Sequence, residues 1–235
     1  MNSNINRICI LGLPRSGSQY TVELIKATIP GFVDLEEPFT LSHNLRSMYY
    51  INKKVVSLQK NLGFTDRAEQ AKYVMSILRQ ADLDQSFIMR IFLIPEFSEL
   101  SLPILEELNQ MNFKFLLLKR ENIEHHLLSF AFAVTSNAWN SRDKIYQAGE
   151  KILIEKFGST KNMYELIVYF NSFIKQLPFN FDTIRYEHAV EDLEKLLGCT
   201  INTNIPIKKQ ITTDPYEIIE NVDQVRNYVK ELIKK

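Results

Sequence analysis

Cysteine is scarce in this sequence, which has only Cys9 and Cys199 among its 235 residues. A chain with two cysteines has neither the dense disulfide framework of small secreted domains nor the ligand spacing of a zinc site. We therefore expect two reduced thiols and no bound metal.

The chain also lacks an excess of either charge, since its 28 Lys and Arg residues balance its 28 Asp and Glu residues. Balanced charge gives no general attraction to nucleic acid or to a membrane surface, so neither is an expected partner. No apolar run approaches the ~18–20 residues of a membrane span. Residues 1–7 are polar and do not resemble a signal peptide. These absences predict a soluble, cytoplasmic protein whose anion sites are built locally.

What the sequence does contain is a 45% share of apolar residues, enough for one well-buried domain over residues 1–235. Short apolar runs alternate with helix-like stretches, which is typical of βαβ units in an α/β, three-layer αβα fold with a mostly parallel sheet. The predicted strands are 7–11, 32–35, 87–92, 113–119 and 181–185. The predicted helices are 19–28, 41–61, 66–81 capped by Thr65, 103–110 beginning at Pro103, 121–134, 144–157 ending at Gly158, 164–176, 190–197 closed by Gly198, and 222–233 capped by Asn221.

The most informative segment is the first predicted strand with the turn that follows it. An apolar run over 8–11 leads into a loop with Gly12 and Gly17 at its ends, and a helix-like stretch comes next. A strand, a glycine turn and a helix N-terminus direct backbone N–H groups and the helix dipole at an anion. The segment predicts a cradle for a phosphate or phosphosulfate, and the alternative is a glycine turn without a ligand.

This loop lacks two functional residues of the nucleoside triphosphatase P-loop. Gly12 and Gly17 have the P-loop spacing, but Ser18 and Gln19 stand where that motif has Lys and Ser/Thr. The ammonium that reaches the terminal phosphates and the hydroxyl that binds Mg²⁺ are therefore missing there. The loop's cation is Arg15. This arrangement suits an anion held by a guanidinium, hydroxyls and amides without a metal.

Residues 14–18, Pro-Arg-Ser-Gly-Ser, resemble the 5′-phosphosulfate loop of sulfotransferases, commonly P-[KR]-S-G-T-T. That family uses 3′-phosphoadenosine 5′-phosphosulfate (PAPS) as sulfuryl donor and releases 3′-phosphoadenosine 5′-phosphate (PAP). The resemblance implies a P-loop NTPase-like sulfotransferase architecture in which Gln19 replaces the second Thr. The cofactor-binding residues that it implies in this segment are Arg15, Ser16, Gly17, Ser18, Gln19 and Tyr20.

A second anion site is predicted after the fourth strand. Arg120 leaves that strand at its carboxyl end, where ligands bind in open parallel sheets, and Ser129 follows on the next helix. Arg offers phosphate a planar fork, and Ser offers a hydroxyl donor. The pair resembles the 3′-phosphate site of sulfotransferases, with a spacing similar to that of bacterial trehalose sulfotransferase-like proteins. The alternative is a surface ion pair beside a solvent-facing Ser.

Two further segments resemble the same family. Residues 183–192 resemble its R-Y-E-D-L element, in which Tyr186 and Glu187 are expected to hold the strand end and the neighbouring backbone. Lys208 and Lys209 resemble the basic C-terminal residues that family members place over the nucleotide.

A hydroxyl acceptor must lose a proton, so a general base is expected near it. Glu37 is the first candidate, because Pro38 disfavours helical backbone at Glu37 and the segment resembles the E-P-F/L element of carbohydrate sulfotransferases. Glu36 is its neighbour, and His43 is a reserve base. The third strand has Arg90 but no His, unlike cytosolic sulfotransferases, and Arg90 is either an extra cation or half of an ion pair. The alternative for residues 34–37 is a solvated acidic loop.

Together, these features predict an enzyme that moves a sulfuryl group from PAPS to a hydroxyl of a small molecule or glycan. Arg15 and Ser18 would stabilise the charge that develops during an in-line displacement. Two other functions stay open. One is a P-loop kinase or nucleotide hydrolase, and the other is a catalytically inactive PAP-binding protein of the same fold.

Overall fold

The computed structural model describes residues 5–40, 66–81, 86–95, 98–137, 151–154, 157–205 and 215–234. Its strands are β1 (Arg7–Gly12), β2 (Val33–Asp34), β3 (Phe87–Phe92), β4 (Lys114–Lys119) and β5 (Asp182–Arg185). Its α-helices are α1 (Ser18–Thr28), α2 (Arg67–Gln80), α3 (Ser98–Gln110), α4 (Ile123–Ser136), α5 (Phe157–Ile174), α6 (Ala189–Leu197) and α7 (Val222–Ile233). Each strand overlaps one that the sequence predicts, and helices flank the sheet, so the predicted α/β fold class is confirmed.

The five strands form one parallel sheet in the order β2-β3-β1-β4-β5. β1 is the central strand, and all six of its residues are buried. A strand covered on both faces needs apolar side chains throughout, which is why residues 8–11 form an unbroken apolar run. The register sets Ile10 beside Arg90 of β3 and beside Leu116 of β4.

One apolar cluster lies on each face of the sheet, between the strands and the helices that cover that face. Ile8 and Ile10 of β1 pack in one cluster with α1 and α6, while Cys9 and Leu11 pack in the other with α2, α3, α4, α5 and α7. Alternate residues of a strand point to opposite faces, so β1 contributes to both clusters. Burial of the Cys9 side chain raises the pKa of its thiol. Cys9 and Cys199 are both free thiols.

The structure corrects the prediction for residues 144–176. The sequence predicts a helix that ends at Gly158 and another over 164–176, but α5 runs continuously over Phe157–Ile174. Gly158 is the second residue of α5, so it lies in the first turn of this helix and is not the end of an earlier one. Residues 151–154 are not helical, and Ile152 forms a parallel bridge with Ile219. Residues 144–150 and 155–156 of the predicted helix, and the predicted helix over 41–61, lie outside the described residues.

Two predicted helix starts also differ, and a third agrees in position but not in its capping contact. α2 is capped by Asp66, whose side chain accepts a hydrogen bond from the Ala68 amide, and not by Thr65. α3 begins at Ser98 and contains Pro103, because burial of Ile104, Leu105 and Leu108 offsets the hydrogen bond that a proline removes. α7 begins after Asn221, as predicted, but the Asn221 side chain makes no capping hydrogen bond. Its amide group instead accepts from the Ile154 N–H and donates to the Ile154 carbonyl, both at 3.0 Å.

Candidate active site

The carboxyl ends of the parallel strands bring the predicted site residues to one edge of the sheet. β1 and β4 are neighbours there, yet the chain leaves β1 toward β2 on one side and leaves β4 toward β5 on the other. Connections that diverge from adjacent strands open a crevice, which is where open α/β sheets bind ligands. The loop 13–17 and Arg120 lie at this crevice.

The loop after β1 begins with a tight turn. The Ser16 amide donates to the Leu13 carbonyl at 3.2 Å, Pro14 is the second residue of the turn, and Arg15 has a φ of 65°. Proline followed by a residue of positive φ is the pattern of a type II turn, which normally places Gly or Asn third. The loop therefore holds an arginine in a left-handed conformation that costs an L-residue about 1–2 kcal/mol.

The loop ends at the N-terminus of α1, where backbone donors collect. The first intrahelical hydrogen bond runs from the Thr21 amide to the Gly17 carbonyl at 3.1 Å. The helix itself offers no acceptor to the preceding amides, those of Gly17, Ser18, Gln19 and Tyr20. Ser18 is buried, whereas the side chains of Gln19 and Tyr20 are half-buried. These donors and the positive end of the helix dipole favour an anion at this point.

Ser16 adds an orphaned hydroxyl to these donors. Its side chain is 1% exposed, and its Oγ has no hydrogen-bond partner among the described residues. The atom lies 3.0 Å from the point where a Cβ on Gly12 would stand, so the missing side chain of Gly12 leaves room for it. A buried hydroxyl without a partner is costly in a native protein unless a ligand or water completes it.

Helix α4 holds the loop through two side chains one turn apart. Ser129 accepts a hydrogen bond from Nε of Arg15 at 3.2 Å, and His126 Nε2 lies 2.9 Å from the Pro14 carbonyl oxygen. Asn122 caps the helix by accepting from the His125 amide, so α4 starts at Ile123 and not at the predicted residue 121. The structure therefore brings together Arg15 and Ser129, which the sequence assigns to two different phosphate sites.

Arg120 reaches the same loop from the end of β4. Its Nη1 donates to the Arg15 carbonyl at 3.3 Å, and its guanidinium lies 4.8 Å from the centre of the Tyr186 ring. Burial lowers the pKa of Arg120, and Tyr186 and Glu187 counteract that shift. Nε of Arg120 is buried without a hydrogen-bond partner among the described residues. Arg120 thus joins the two predicted anion sites into one cluster.

Glu187 fixes the backbone beside Arg120. Its carboxylate accepts from the amides of Glu121 at 3.0 Å and Asn122 at 3.2 Å, and lies 3.9 Å from Nε of Arg120. Partial burial would raise the pKa of Glu187, but the backbone hydrogen bonds and Arg120 together lower it. The side chain is therefore an anion at neutral pH that ties β5 to the start of α4.

The candidate base lies two strands away from β1, in the segment after β2. The backbone of Glu36 has a φ of 59°, its carbonyl accepts from the Arg90 amide at 2.8 Å, and its side chain is exposed. Glu37 is half-buried, and its Oε1 lies 3.6 Å from Nη1 of Arg90. Gln70 of α2, 1% exposed, donates to the carbonyls of Pro38 and Thr40. These hydrogen bonds and the ion pair hold the segment in place, so it is not a freely solvated loop.

Three predicted site residues lie outside the described part of the chain. They are the reserve base His43 and the two basic residues Lys208 and Lys209. Where the structure is described, it finds no group of three or more His, Cys, Asp or Glu side chains placed to hold a metal ion. In that same part, no helix combines the length and apolar character needed to cross a membrane.

His126 and Gln70 hold predicted site segments in place but are not among the residues that the sequence predicts for the site. One signal in the sequence points to His126, because residues three apart share a helix face and His126 lies three positions before Ser129. The partner of Gln70 is a pair of carbonyls 30 to 32 residues earlier, and no local pattern reveals that contact.

Solved structures that match the chain include two sulfotransferase domains. One, from the curacin biosynthetic pathway, is 17% identical, covers 89% of this chain and 80% of its own, and has a TM-score of 0.47. The other, from the Synechococcus PCC 7002 olefin synthase, is 16% identical, covers 98% and 94%, and has a TM-score of 0.47. No protein-family model matches the chain, and neither does any curated protein. At this identity and TM-score the likenesses decide nothing about activity, which has to follow from the chain's own residues.

Proposed function

We propose that this protein is a PAPS-dependent sulfotransferase that transfers a sulfuryl group to a hydroxyl of a small-molecule or glycan acceptor. One observation carries the proposal, namely that the loop 13–17, Arg120 and Ser129 form a single connected cluster at the α1 N-terminus. PAPS carries phosphate groups on the 3′ and 5′ oxygens of its ribose and a sulfuryl group on the 5′-phosphate. Its site must therefore offer several hydrogen-bond donors to anions in close proximity.

The residues present fit this ligand. Arg15 and Arg120 supply two guanidinium groups, the fork-shaped donors best suited to phosphate. The buried Oγ of Ser16 and Nε of Arg120 are polar atoms without hydrogen-bond partners among the described residues. The carboxylate of Glu187 lies 3.9 Å from Nε of Arg120 and accepts hydrogen bonds from two backbone amides, which offset part of its negative charge.

Each group has a distinct role in the proposed site. Arg15, Ser16, Ser18 and the first amides of α1 hold the 5′-phosphosulfate, with Gln19 and Tyr20 completing that side. Arg120 and Ser129 hold the 3′-phosphate, and Lys208 and Lys209, which lie outside the described residues, are proposed as further contacts of the nucleotide. PAPS supplies an activated sulfuryl group whose leaving group is the 5′-phosphate of PAP. Arg15 and the loop amides stabilise the charge that the leaving oxygen gains, which requires fixed donors but no metal.

Glu37 is the proposed base that removes the acceptor proton. Its half-buried carboxylate is oriented by Arg90, and Gln70 braces the backbone of the next residue, Pro38. The exposed side chain of Glu36 has no such support, because only its backbone is held by Arg90. Glu36 and His43 remain the competing bases within the same mechanism.

Replacing Glu37 with glutamine is expected to lower kcat for sulfuryl transfer by about 10²- to 10⁴-fold, which is what a general base contributes. Affinity for PAP should not change, because Glu37 follows β2, two strands away from β1 and its anion-binding loop. Both quantities are measured by transfer of labelled sulfate from PAPS to a panel of hydroxyl acceptors and by PAP calorimetry. Glu165→Gln is the matched control, since Glu165 is an exposed carboxylate on α5 paired with Lys161. Loss of activity in Glu36→Gln with full activity in Glu37→Gln would reassign the base.

The proposal as a whole is tested by calorimetric titration with PAP in the presence and absence of Mg²⁺, with ATP alongside. We expect PAP to bind without metal and Arg120→Ala to weaken that binding. Arg79→Ala is the control, because Arg79 is an exposed arginine on α2 paired with Glu107. No PAP binding, or ATP binding that requires Mg²⁺, would overturn the proposal in favour of a kinase or nucleotide hydrolase. PAP binding without turnover of any acceptor would leave an inactive PAP-binding protein.

A further inference from the structure

We propose that His126 is the positioning residue of the anion-binding loop, which it holds in its binding conformation by donating a hydrogen bond to the Pro14 carbonyl. The inference rests on the proposed function in one respect, that the anion bound by the loop is the nucleotide PAP. His126 lies on α4, one turn before Ser129, and is 4% exposed. Its ring contacts the backbone of the loop, and it has no part in the proposed sulfuryl transfer itself.

The chemistry of the contact fixes the state of the imidazole. A proline carbonyl can only accept, so Nε2, at 2.9 Å from it, must carry the hydrogen. Burial lowers the pKa of His126 to about 4, with a smaller opposing effect from the Pro14 hydrogen bond and further contributions from the charges around it. Those charges are Arg120 and Arg15, which lower the pKa, and Glu187, which raises it. At neutral pH, His126 is therefore an uncharged donor with the hydrogen on Nε2.

This hydrogen bond sets the direction of a loop amide. Three successive carbonyls in the loop are each held by a donor, those of Leu13 by the Ser16 amide, Pro14 by His126 and Arg15 by Arg120. The C=O and N–H of a trans peptide point in opposite directions. Fixing the Pro14 carbonyl on α4 therefore directs the Arg15 N–H away from α4. Carbonyl oxygens would repel an anion. Because these three carbonyls are turned toward donors of the protein, the loop presents N–H groups to the anion.

The same contact supports a strained residue. Arg15 follows Pro14 and has a φ of 65°, a conformation that an L-residue keeps only when its surroundings hold it. His126 holds the backbone on one side of Arg15, while Ser129 holds its guanidinium. Because His126 and Ser129 share one face of α4, a single helix sets both the loop backbone and the direction of its cation.

The test uses three substitutions at position 126 in the full chain. His126→Leu removes the donor and leaves a buried carbonyl without a partner, which should weaken PAP binding by about 10- to 100-fold. His126→Gln places an amide N–H₂ near the position of Nε2 and should restore most of the affinity. His126→Asn, one methylene shorter, should not. His125→Gln controls for a substitution on the same helix that does not touch the loop.

Affinity is measured by PAP calorimetry, and NMR of histidine nitrogens in the unmodified protein reports the tautomer directly. We expect His126 to carry hydrogen on Nε2 and its resonance to shift when PAP binds. Equal PAP affinity for His126→Leu and the unmodified chain, or hydrogen on Nδ1, would overturn the inference while the proposed function stands. Failure of the unmodified chain to bind PAP would instead overturn the proposed function. The tautomer measurement needs no variant to fold and no ligand to bind.

Discussion

Replacing Arg15 with alanine is expected to weaken PAP binding by about 100-fold or more, because two charge-assisted hydrogen bonds of about 1.5–3 kcal/mol each are lost. In the structure the loop that carries Arg15 leads into the α1 N-terminus, and Nε of Arg15 donates to Ser129 on α4. Sulfuryl transfer should fall further than binding does. The charge on the leaving oxygen grows in the transition state, so a group that stabilises it contributes more there than in the ground state.

Two companion variants separate the guanidinium from the backbone that carries it. Arg15→Gly also removes the side chain but accepts a φ of 65° without strain, whereas alanine retains the strain. If the guanidinium matters, both variants lose affinity alike, and Arg15→Lys recovers only part of it because an ammonium lacks the planar fork. Binding restored by glycine but not by lysine would mean that only the shape of the loop matters. PAP affinity unchanged in Arg15→Ala would contradict the proposed site outright.

The sheet could be predicted from the sequence because a strand buried on both faces is a run of mostly apolar residues, which is a local pattern. The bounds of β3 agree with the prediction at both ends, and β1 extends only one residue beyond it, to Gly12. β1 has an unbroken apolar run over 8–11, and β3 is apolar except for Arg90. Polar residues or turns border both strands. No contact with a distant segment is needed to recognise such a run, so its sequence alone suffices.

The helices around residues 144–176 could not be predicted because distant partners decide them. Ile152 pairs with Ile219 and Ile154 is held by Asn221, a residue 67 positions later. Extended backbone at 151–154 therefore depends on the placement of the segment before α7. Gly158 lies in the first turn of α5 and does not end an earlier helix, and α5 is stabilised by packing on α4. The burial of a long apolar helix face outweighs the ~1 kcal/mol that a glycine costs relative to alanine.

The candidate site also has a part that could be predicted from the sequence and a part that could not. The loop 13–17 and the strand-end Arg120 could be identified from local sequence, because strand ends and glycine turns are local features. Their connection could not, since the contacts of Arg15 with Ser129 and with Arg120 span 114 and 105 residues. That connection changes the interpretation, because it makes one cluster out of two phosphate sites that the sequence treats separately.

Replacing Gly17 with alanine is expected to destabilise the protein by about 2–5 kcal/mol through two separate costs. The first is conformational, because Gly17 has a φ of 92° that an L-residue adopts only with strain. The second is steric, because a Cβ on Gly17 would overlap Cδ2 and Cε2 of the Tyr186 ring and lie 3.1 Å from Cγ. The ring cannot retreat freely, since Arg120 covers one side of it and Tyr20 meets it edge-to-face with ring centres 6.1 Å apart. Urea unfolding measures the loss.

Gly31 is the matched control that separates the two costs. It has a φ of 102°, and a Cβ built on it would meet nothing within 4 Å, so Gly31→Ala carries the conformational cost alone. The difference between the two variants is the steric cost, and Tyr186→Ala in the Gly17→Ala background should recover it as a coupling energy of about 1–3 kcal/mol. Gly31 follows α1 at the opposite edge of the sheet from the crevice, so PAP affinity should fall in Gly17→Ala and stay unchanged in Gly31→Ala. If the two variants are equally destabilised, the Tyr186 ring does not restrain the loop, and the end of β5 has no part in shaping the anion site.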